Sequence, residues 1–231
     1  MEVVKRQEAF TLIDLFVFVG CLAVLAVIVL PALARRNHSC MRINCVNNLK
    51  QIGLSYRTWA LDNQDKYPMQ VSVTNGGTME LVNSGPAFVH FLVMSNELST
   101  PKILVCPQDG DPNRTSATTF SQPLGPQSGS ISPQVPFTND NYLSYFVGVD
   151  ANQDLPNALL SGDRNLRVDR IPVARGMQRV WTNSAVTWVK PAHEGKGNIC
   201  MADGSVQQIR NSGFRAVLSH SGIATNRLVI P

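Results

Sequence analysis

Residues 10–36 read FTLIDLFVFVGCLAVLAVIVLPALARR, and this stretch decides how the chain is organised. Between Leu12 and Ala34 the only charged residue is Asp14. A helix of about 20 apolar residues spans roughly 30 Å, which is the thickness of the hydrocarbon core of a bilayer. The stretch therefore predicts a transmembrane helix with one carboxylate close to its start.

A secretory signal peptide is the alternative interpretation of this stretch, because residues 31–34 (PALA) have the form of a small-residue cleavage site. The position of cleavage separates the two interpretations. Basic residues both precede and follow the stretch, so the flanking charges do not fix its orientation.

The composition is that of one ordinary domain with an appended segment. The chain has 231 residues and a formal net charge of +4, and its basic residues are scattered rather than clustered. Nucleic acid is therefore not expected as a partner, and no glycine-rich nucleotide motif is present. Glycine and proline are frequent between Pro107 and Pro136, which predicts a long polar loop.

A helical pattern continues beyond the apolar stretch. Apolar residues recur there at three- and four-residue spacing, namely Ile43, Val46, Leu49, Ile52, Tyr56, Trp59 and Ala60. We expect one helix from about Glu8 to Leu61, in which Pro31 favours a kink and residues 62–65 (DNQD) form the end. Its amphipathic second half needs a surface to pack on.

The rest of the chain predicts mainly strands. A short helix is expected at 86–98, strands at 102–106, 142–149, 158–161 and 186–189, a helix at 212–220, and a final edge strand at 227–230. Within residues 197–209 (GNICMADGSVQQI), Asp203 and Gly204 predict a two-residue hairpin turn. The expected fold class is α+β: a long N-terminal helix, transmembrane and then amphipathic, packed on an antiparallel β-sheet.

Several motifs resemble those of one protein family. Residues 10–15 (FTLIDL) resemble the FTLIEL start of type IV pilins and type II secretion pseudopilins, after a short basic leader and before Pro31, where pilins commonly carry proline. His193, nine further residues and then Asp203-Gly204 match the H-x9-DG element of processing-associated prepilins. The segments at 39–68, 102–109, 141–151 and 159–166 resemble pseudopilin-like families of planctomycete- and verrucomicrobium-type bacteria.

The resemblance implies a processing event and a domain order. A membrane prepilin peptidase would remove residues 1–9 by cutting between Ala9 and Phe10, and the new amine would be N-methylated. Residues 10–34 would be the transmembrane and assembly helix, and residues 35–231 the amphipathic helix with a globular pilin-like domain. Ala9 stands where glycine is most usual in the family, and Asp14 stands where glutamate is usual.

Such cleavage would give the carboxylate of Asp14 an amine to pair with. The new Phe10 ammonium group would lie about one helical turn from Asp14. A lone acid in the membrane costs on the order of 3 kcal/mol, and pairing with an amine of the same or a neighbouring subunit lowers that cost. We therefore expect Asp14 to favour docking of the next subunit in register. The alternative is an acid that snorkels to the membrane surface.

The expected function is that of a structural, non-enzymatic filament subunit. The resemblance implies these partners: further copies of the chain, the prepilin peptidase and methyltransferase, a membrane platform, a cytoplasmic assembly ATPase and the lipid bilayer. The protein would wait in the inner membrane with its globular domain in the periplasm, and then join a periplasmic or extracellular filament. Two alternatives stay open: a minor tip pilin that binds a surface or secreted substrate, and a membrane-anchored exported hydrolase that uses His193 and Asp203.

Cysteines and acids supply the remaining candidate sites. The favoured disulfide joins Cys45 to Cys106, because both lie in segments shared with the resembling families, and free buried thiols are the alternative. Asp163 and Asp203 are expected to have structural roles, with a calcium or other hard-ion site as the alternative. No cofactor is expected. The aromatic residues in strand-like sequence are expected in the core; they are Tyr142, Tyr145, Phe146, Trp181 and Trp188.

Overall fold

The computed structural model describes residues 12–121, 134–189 and 195–231, and of residues 31–42 it describes the backbone. The chain divides into two compact units, one up to Met41 and the other comprising Arg42–Pro231. The first unit contributes the beginning of a long helix. The second unit contains the rest of that helix and all the strands.

Helix α1 comprises Leu12–Asp62 and runs through Pro31. The helix ends because the residues after Asp62 adopt a left-handed backbone conformation. Gln64 and Asp65 adopt positive φ angles of 58° and 57°, and the Asp65 N–H donates to the Ala60 carbonyl at 2.9 Å. This left-handed termination satisfies a carbonyl of the last turn, and it lies in the segment that the sequence predicts as the helix end.

Two sheets follow, and both are antiparallel. The strands are β1 (Tyr145–Gly148), β2 (Leu159–Asp163), β3 (Leu166–Val168), β4 (Ile171–Pro172), β5 (Gly176–Trp181), β6 (Val186–Trp188), β7 (Lys196–Met201), β8 (Val206–Arg210) and β9 (Thr225–Ile230). The larger sheet has the order β5-β9-β1-β2-β7-β8 and the smaller one β4-β3-β6. Helices α2 (Val89–Leu92), α3 (Ser95–Leu98) and α4 (Phe214–His220) complete the fold.

The larger sheet separates two hydrophobic clusters. Alternate residues of each central strand face opposite sides, so Cys200 joins the cluster under α1 whereas Ile199 and Met201 join the other. The second cluster includes Trp188 of the smaller sheet and Phe214 of α4. The globular unit therefore has three layers, with α1 on one face of the large sheet and the small sheet with α4 on the other.

The amphipathic stripe of α1 is buried as predicted, except at its start. Leu49, Ile52 and Tyr56 have no exposed surface, whereas Ile43 is 60% exposed. Cys45 occupies the first buried position instead. The expectation for Ile43 was wrong because the buried stripe begins about half a turn later, at the residue that forms the disulfide.

The structure corrects four local predictions. Residues 101–104 form a 3₁₀ helix rather than a strand, because Pro101 follows Thr100, whose hydroxyl caps the turn. The predicted helix at 86–98 is interrupted between α2 and α3. The turn between β7 and β8 has three residues, closed by the Met201 N–H on the Ser205 carbonyl, with Gly204 at φ +83°. Finally, β9 lies inside the sheet, because the unpredicted strand β5 pairs with its outer side.

The described part of the predicted polar loop supports that prediction. Residues 107–121 contain no helix or strand, and an isolated bridge joins Thr119 to Pro136.

Candidate functional site

The largest exposed apolar surface of the described residues is the first part of α1. Leu12–Leu30 is a stretch of 19 residues that is long and apolar enough to cross a membrane, and none of it is buried. Phe16 is 70% exposed and Ile28 is 64% exposed. A signal sequence near the N-terminus can have the same length and apolar composition. The feature is a helix whose surface requires an apolar environment.

The residues of the predicted processing and assembly site are only partly described. Ala9 and Phe10 lie outside the described residues, and so does His193. Asp14 lies two residues after Leu12, the first described residue of α1. Pro31 lies inside α1.

Cys45 and Cys106 are disulfide-bonded, with 5.4 Å between their Cα atoms. This is the pair that the sequence favours. It ties α1 to the segment that precedes the polar loop. Cys200 is a buried thiol, and burial raises its pKa to about 12, while Cys21 is exposed.

A cluster of charged side chains holds the loop that follows Cys106. Arg164 binds Asp109 through two hydrogen bonds, from Nε at 3.0 Å and from Nη2 at 2.7 Å. Its Nη2 also donates to Asp111 at 2.7 Å. A planar guanidinium suits such a bidentate contact. The end of β2 is thereby fastened to the loop beside the disulfide.

Arg114 fastens the other side of the same loop. Its side chain is only 2% exposed, and it donates to the carbonyl oxygens of Asp140, Leu143 and Pro231. Burial, and to a smaller extent the positive charge of Arg164, lower the pKa of Arg114 to about 10. The group therefore stays charged at neutral pH, and its three carbonyl acceptors offset part of the desolvation cost.

An open cleft of about 260 Å³ lies beside these arginines. Asp109, Asp111 and Arg164 form its polar wall, and Leu166 and Val173 contribute apolar surface. Arg164 already bonds to both carboxylates, so a cation in this cleft would have to compete with its guanidinium. The cleft therefore has the character of a structural junction rather than of a metal site.

The turn around Asp203 is docked on α1. Asp203 accepts the Ser205 N–H at 2.8 Å through its side chain, and its carbonyl accepts Nη1 of Arg57 at 3.0 Å. The Tyr67 hydroxyl donates to the Ala202 carbonyl at 2.6 Å. Asp203 therefore shapes and anchors the turn, which is a structural role.

Asp163 lies at the end of β2 and is 3% exposed. Its Oδ2 accepts both the main-chain and side-chain N–H groups of Asn198, at 2.7 and 3.0 Å. This acid therefore joins β2 to β7. Within the described ranges no group of three or more His, Cys, Asp or Glu residues could hold a metal ion.

Sequence reasoning missed the contacts that hold these loops. Arg164 and Asp109 lie in two segments that resemble pseudopilin-like families, 159–166 and 102–109, but nothing in their sequence spacing indicates that the two side chains meet. Arg57 and Tyr67 likewise reach a turn far along the chain. Only the tertiary fold brings such residues together.

Comparisons with family models, with curated proteins and with solved structures give no match to this chain.

Proposed function

We propose that this chain is a structural subunit of a helical filament of the type IV pilus or type II secretion pseudopilus kind. One observation carries the proposal: one part of α1 is exposed and the other part is buried. Leu12–Leu30 is exposed apolar surface, whereas Leu49, Ile52 and Tyr56 of the same helix are buried in the globular unit. The first part needs a bilayer or a bundle of like helices around it, and a subunit that moves from membrane to filament uses both.

The second element of the proposal is processing at the start of α1. Cleavage between Ala9 and Phe10 by a prepilin peptidase creates an ammonium group about one turn before Asp14. This amine can form an ion pair with the carboxylate, on its own or an incoming subunit, which lowers the cost of keeping a charge in an apolar bundle. Asp14 acts in this proposal as a docking group that selects the register of the next subunit.

The third element is the location of the globular unit outside the cytoplasm. The disulfide between Cys45 and Cys106 is of the kind that persists in oxidising compartments. In the proposal the protein is held in the inner membrane by α1 with its globular unit in the periplasm. A membrane platform and a cytoplasmic ATPase supply the energy of extraction, and the chain itself catalyses no reaction.

Filament yield from cells that supply a prepilin peptidase and an assembly platform tests the proposal. We expect sheared filaments that consist mainly of this chain. Asp14→Asn keeps the size of the side chain and removes its charge, and we expect it to leave processed subunits in the membrane with a large loss of filaments. The matched variant Asp14→Glu keeps the charge and should retain assembly. Normal filament yield from Asp14→Asn contradicts the docking role, and the absence of filaments from the unaltered chain contradicts the function.

A further inference from the structure

The strand β5 leaves one side of the large sheet open. It is the outermost strand at that end of the order, and β9 is its partner. Thr182 donates its N–H to the Ala224 carbonyl in the continuation of this ladder. Because hydrogen-bonded pairs alternate along antiparallel strands, Gln178 and Val180 also turn their backbone groups toward β9.

The intervening residues therefore turn their backbone groups away from the sheet. These are Met177, Arg179 and Trp181. Within the described residues, no hydrogen bond uses the outward N–H or carbonyl of Met177 or Arg179, and the Trp181 carbonyl accepts the Ser184 N–H. Donors and acceptors repeated every second residue are the template that an extended polypeptide pairs with. Many proteins protect a sheet edge from pairing with another strand by a very short edge strand or a proline. β5 has six residues and contains no proline, so it has neither protection.

The side chains along this edge combine an aromatic group with a cation. Trp181 is 50% exposed, whereas the other two tryptophans, Trp59 and Trp188, are buried. The expectation that Trp181 lies in the core is wrong, because its strand is at the sheet edge. Met177, at the other end of β5, packs on the cluster under α1, but Trp181 lies beyond that cluster. Exposed tryptophan and arginine are the residues that most often anchor a protein partner.

Among the residues that the structure describes, Arg179 has no anionic partner. Its cross-strand neighbour is another arginine, Arg227. The carboxylate of Asp150 on that face is already bound by Arg227, through Nε at 2.8 Å and through Nη2 at 2.5 Å. No ion pair or hydrogen bond of the described residues involves the Arg179 side chain, and like charges opposite each other in a ladder are unfavourable. An external carboxylate would relieve this repulsion.

The segment that contains β5 is positively charged as a whole. Residues 167–181 (RVDRIPVARGMQRVW) contain four arginines and one acid, Asp169, whose carboxylate accepts the Ala185 N–H at 2.9 Å. A ligand of this edge should therefore be acidic. The open ladder requires alternating N–H and carbonyl groups, which a polypeptide has and a nucleic acid lacks.

We propose that the outer edge of β5 binds an extended acidic segment of another protein, by adding it as a strand beside Met177, Arg179 and Trp181. The partner's backbone would pair with the outward groups of β5. A Glu or Asp side chain of the partner would lie against Arg179, and an apolar one against Trp181. This site is separate from α1 and does not depend on filament formation.

Binding of labelled peptides to the full chain in detergent micelles tests the proposal. The probe is an acetylated peptide of about nine residues in which Thr occupies every second position and Glu and Val alternate at the positions between, so that one face offers both an acid for Arg179 and an apolar side chain for Trp181. One control replaces every Glu by Lys, and a second has all its amide nitrogens methylated, which keeps the charge and removes the ladder donors. We expect the acidic peptide to raise fluorescence anisotropy and to shield Trp181 from acrylamide, while both controls bind at least about tenfold more weakly.

Protein variants make the test specific for β5. Arg179→Glu should weaken binding of the acidic peptide about tenfold and improve binding of the Lys peptide, and Arg179→Gln should have an intermediate effect. Arg215→Glu reverses an exposed charge on α4 and should change affinity less than about twofold. The proposal is overturned if the acidic peptide does not bind up to millimolar concentration, if the methylated peptide binds equally well, or if Arg179→Glu and Arg215→Glu behave alike. Equal binding of an oligonucleotide of the same charge, with the same loss in Arg179→Glu, also overturns it, because the ladder would then be dispensable.

Discussion

Gly53 of α1 lies directly against Cys200 of β7: a Cβ atom placed on Gly53 would come within 2.6 Å of Cys200 Sγ and 3.2 Å of the Gly204 Cα. The helix can approach the sheet at this point because a side chain is missing. The close approach also brings α1 to the turn at Asp203, where the Arg57 side chain reaches its carbonyl. One glycine thus positions the sheet on the helix.

We predict that Gly53→Ala destabilises the globular unit. Alanine normally favours a helix over glycine by about 1 kcal/mol, but overpacking costs about 1–3 kcal/mol, and the contacts at Gly53 leave no room. Because the second quantity exceeds the first at so tight a contact, urea unfolding of the full chain in detergent should show a net loss of up to about 2 kcal/mol. The loss should shrink in the Cys200→Ala background, because the nearest atom is then absent. Gly20→Ala is the control, since nothing lies within 4 Å of that position. A stabilised Gly53→Ala would contradict the packing described.

The disulfide should be a major source of stability. It joins residues separated by 61 positions, and the chain-entropy relation for a loop of that length gives about 4 kcal/mol. We predict a loss of that order for Cys45→Ser combined with Cys106→Ser, and a similar shift of the urea midpoint when the unaltered protein is reduced. Cys21→Ser should have no effect on unfolding. An unchanged midpoint after complete reduction would show that the bond does not constrain the globular unit.

Arg164 should hold the loop after Cys106 in place. Asp109 is only 6% exposed, so Arg164→Leu leaves a buried carboxylate without its cation. A fully buried pair broken in this way costs about 3–5 kcal/mol, and the 21% exposure of Arg164 reduces the expected loss to about 2–3 kcal/mol. Trypsin should also begin to cut after Arg114, whose side chain is buried in the intact loop. Arg215→Leu is the exposed control, and equal protease resistance in the two variants would refute the anchoring role.

His90 should make stability depend on pH. Its ring Nδ1 lies 2.7 Å from the Thr78 hydroxyl, its Nε2 is buried without a hydrogen-bond partner among the described residues, and burial lowers its pKa from 6.5 to about 4. As the pH is lowered, His90 is therefore protonated near pH 6.5 in the unfolded chain but only near pH 4 in the folded chain. The contribution of His90 to stability is unchanged above this window, falls as the pH is lowered through it, and levels off below it.

The difference in pKa corresponds to a loss of about 3 kcal/mol across that window. His90→Gln can still bond to Thr78 but does not titrate, so this part of the slope should disappear whatever its effect on absolute stability. Urea unfolding at several pH values between 4 and 7 provides the measurement. His220→Gln, at an exposed position of α4, should retain the slope. A slope that persists in His90→Gln would assign the effect to other groups.

The fold class and the helix were predictable because their signals are local. The apolar stretch, the stripe of α1 and the termination after Asp62 all depend on residues close in sequence. The strands β3, β4 and β5 were not predicted, since they are short or lack clear alternation, and β5 exposes a tryptophan. Without β5, the last strand β9 looked like an edge.

The candidate sites were predictable only in part, because their geometry depends on distant contacts. Asp203 was expected in a hairpin turn and lies in one, but the turn has three residues and its contact with Arg57 could not be foreseen. The pairing of Arg164 with Asp109 depends on residues 55 positions apart. Ala9, Phe10 and His193 lie outside the described residues, so their roles stay predictions.

The N-terminal mass of the protein isolated from membranes of cells that contain a prepilin peptidase tests the central claim most directly. The proposal predicts a mature chain that begins at Phe10 and carries one methyl group on its amine. Ala9→Gly should be processed at least as well, and Ala9→Arg should accumulate uncut because its side chain is too large for a subsite that accepts a small residue. A mature chain that begins after Ala34 would identify a cleaved signal peptide. A chain that keeps Met1 in the presence of active peptidase would equally contradict the assignment of α1 as a processed assembly helix.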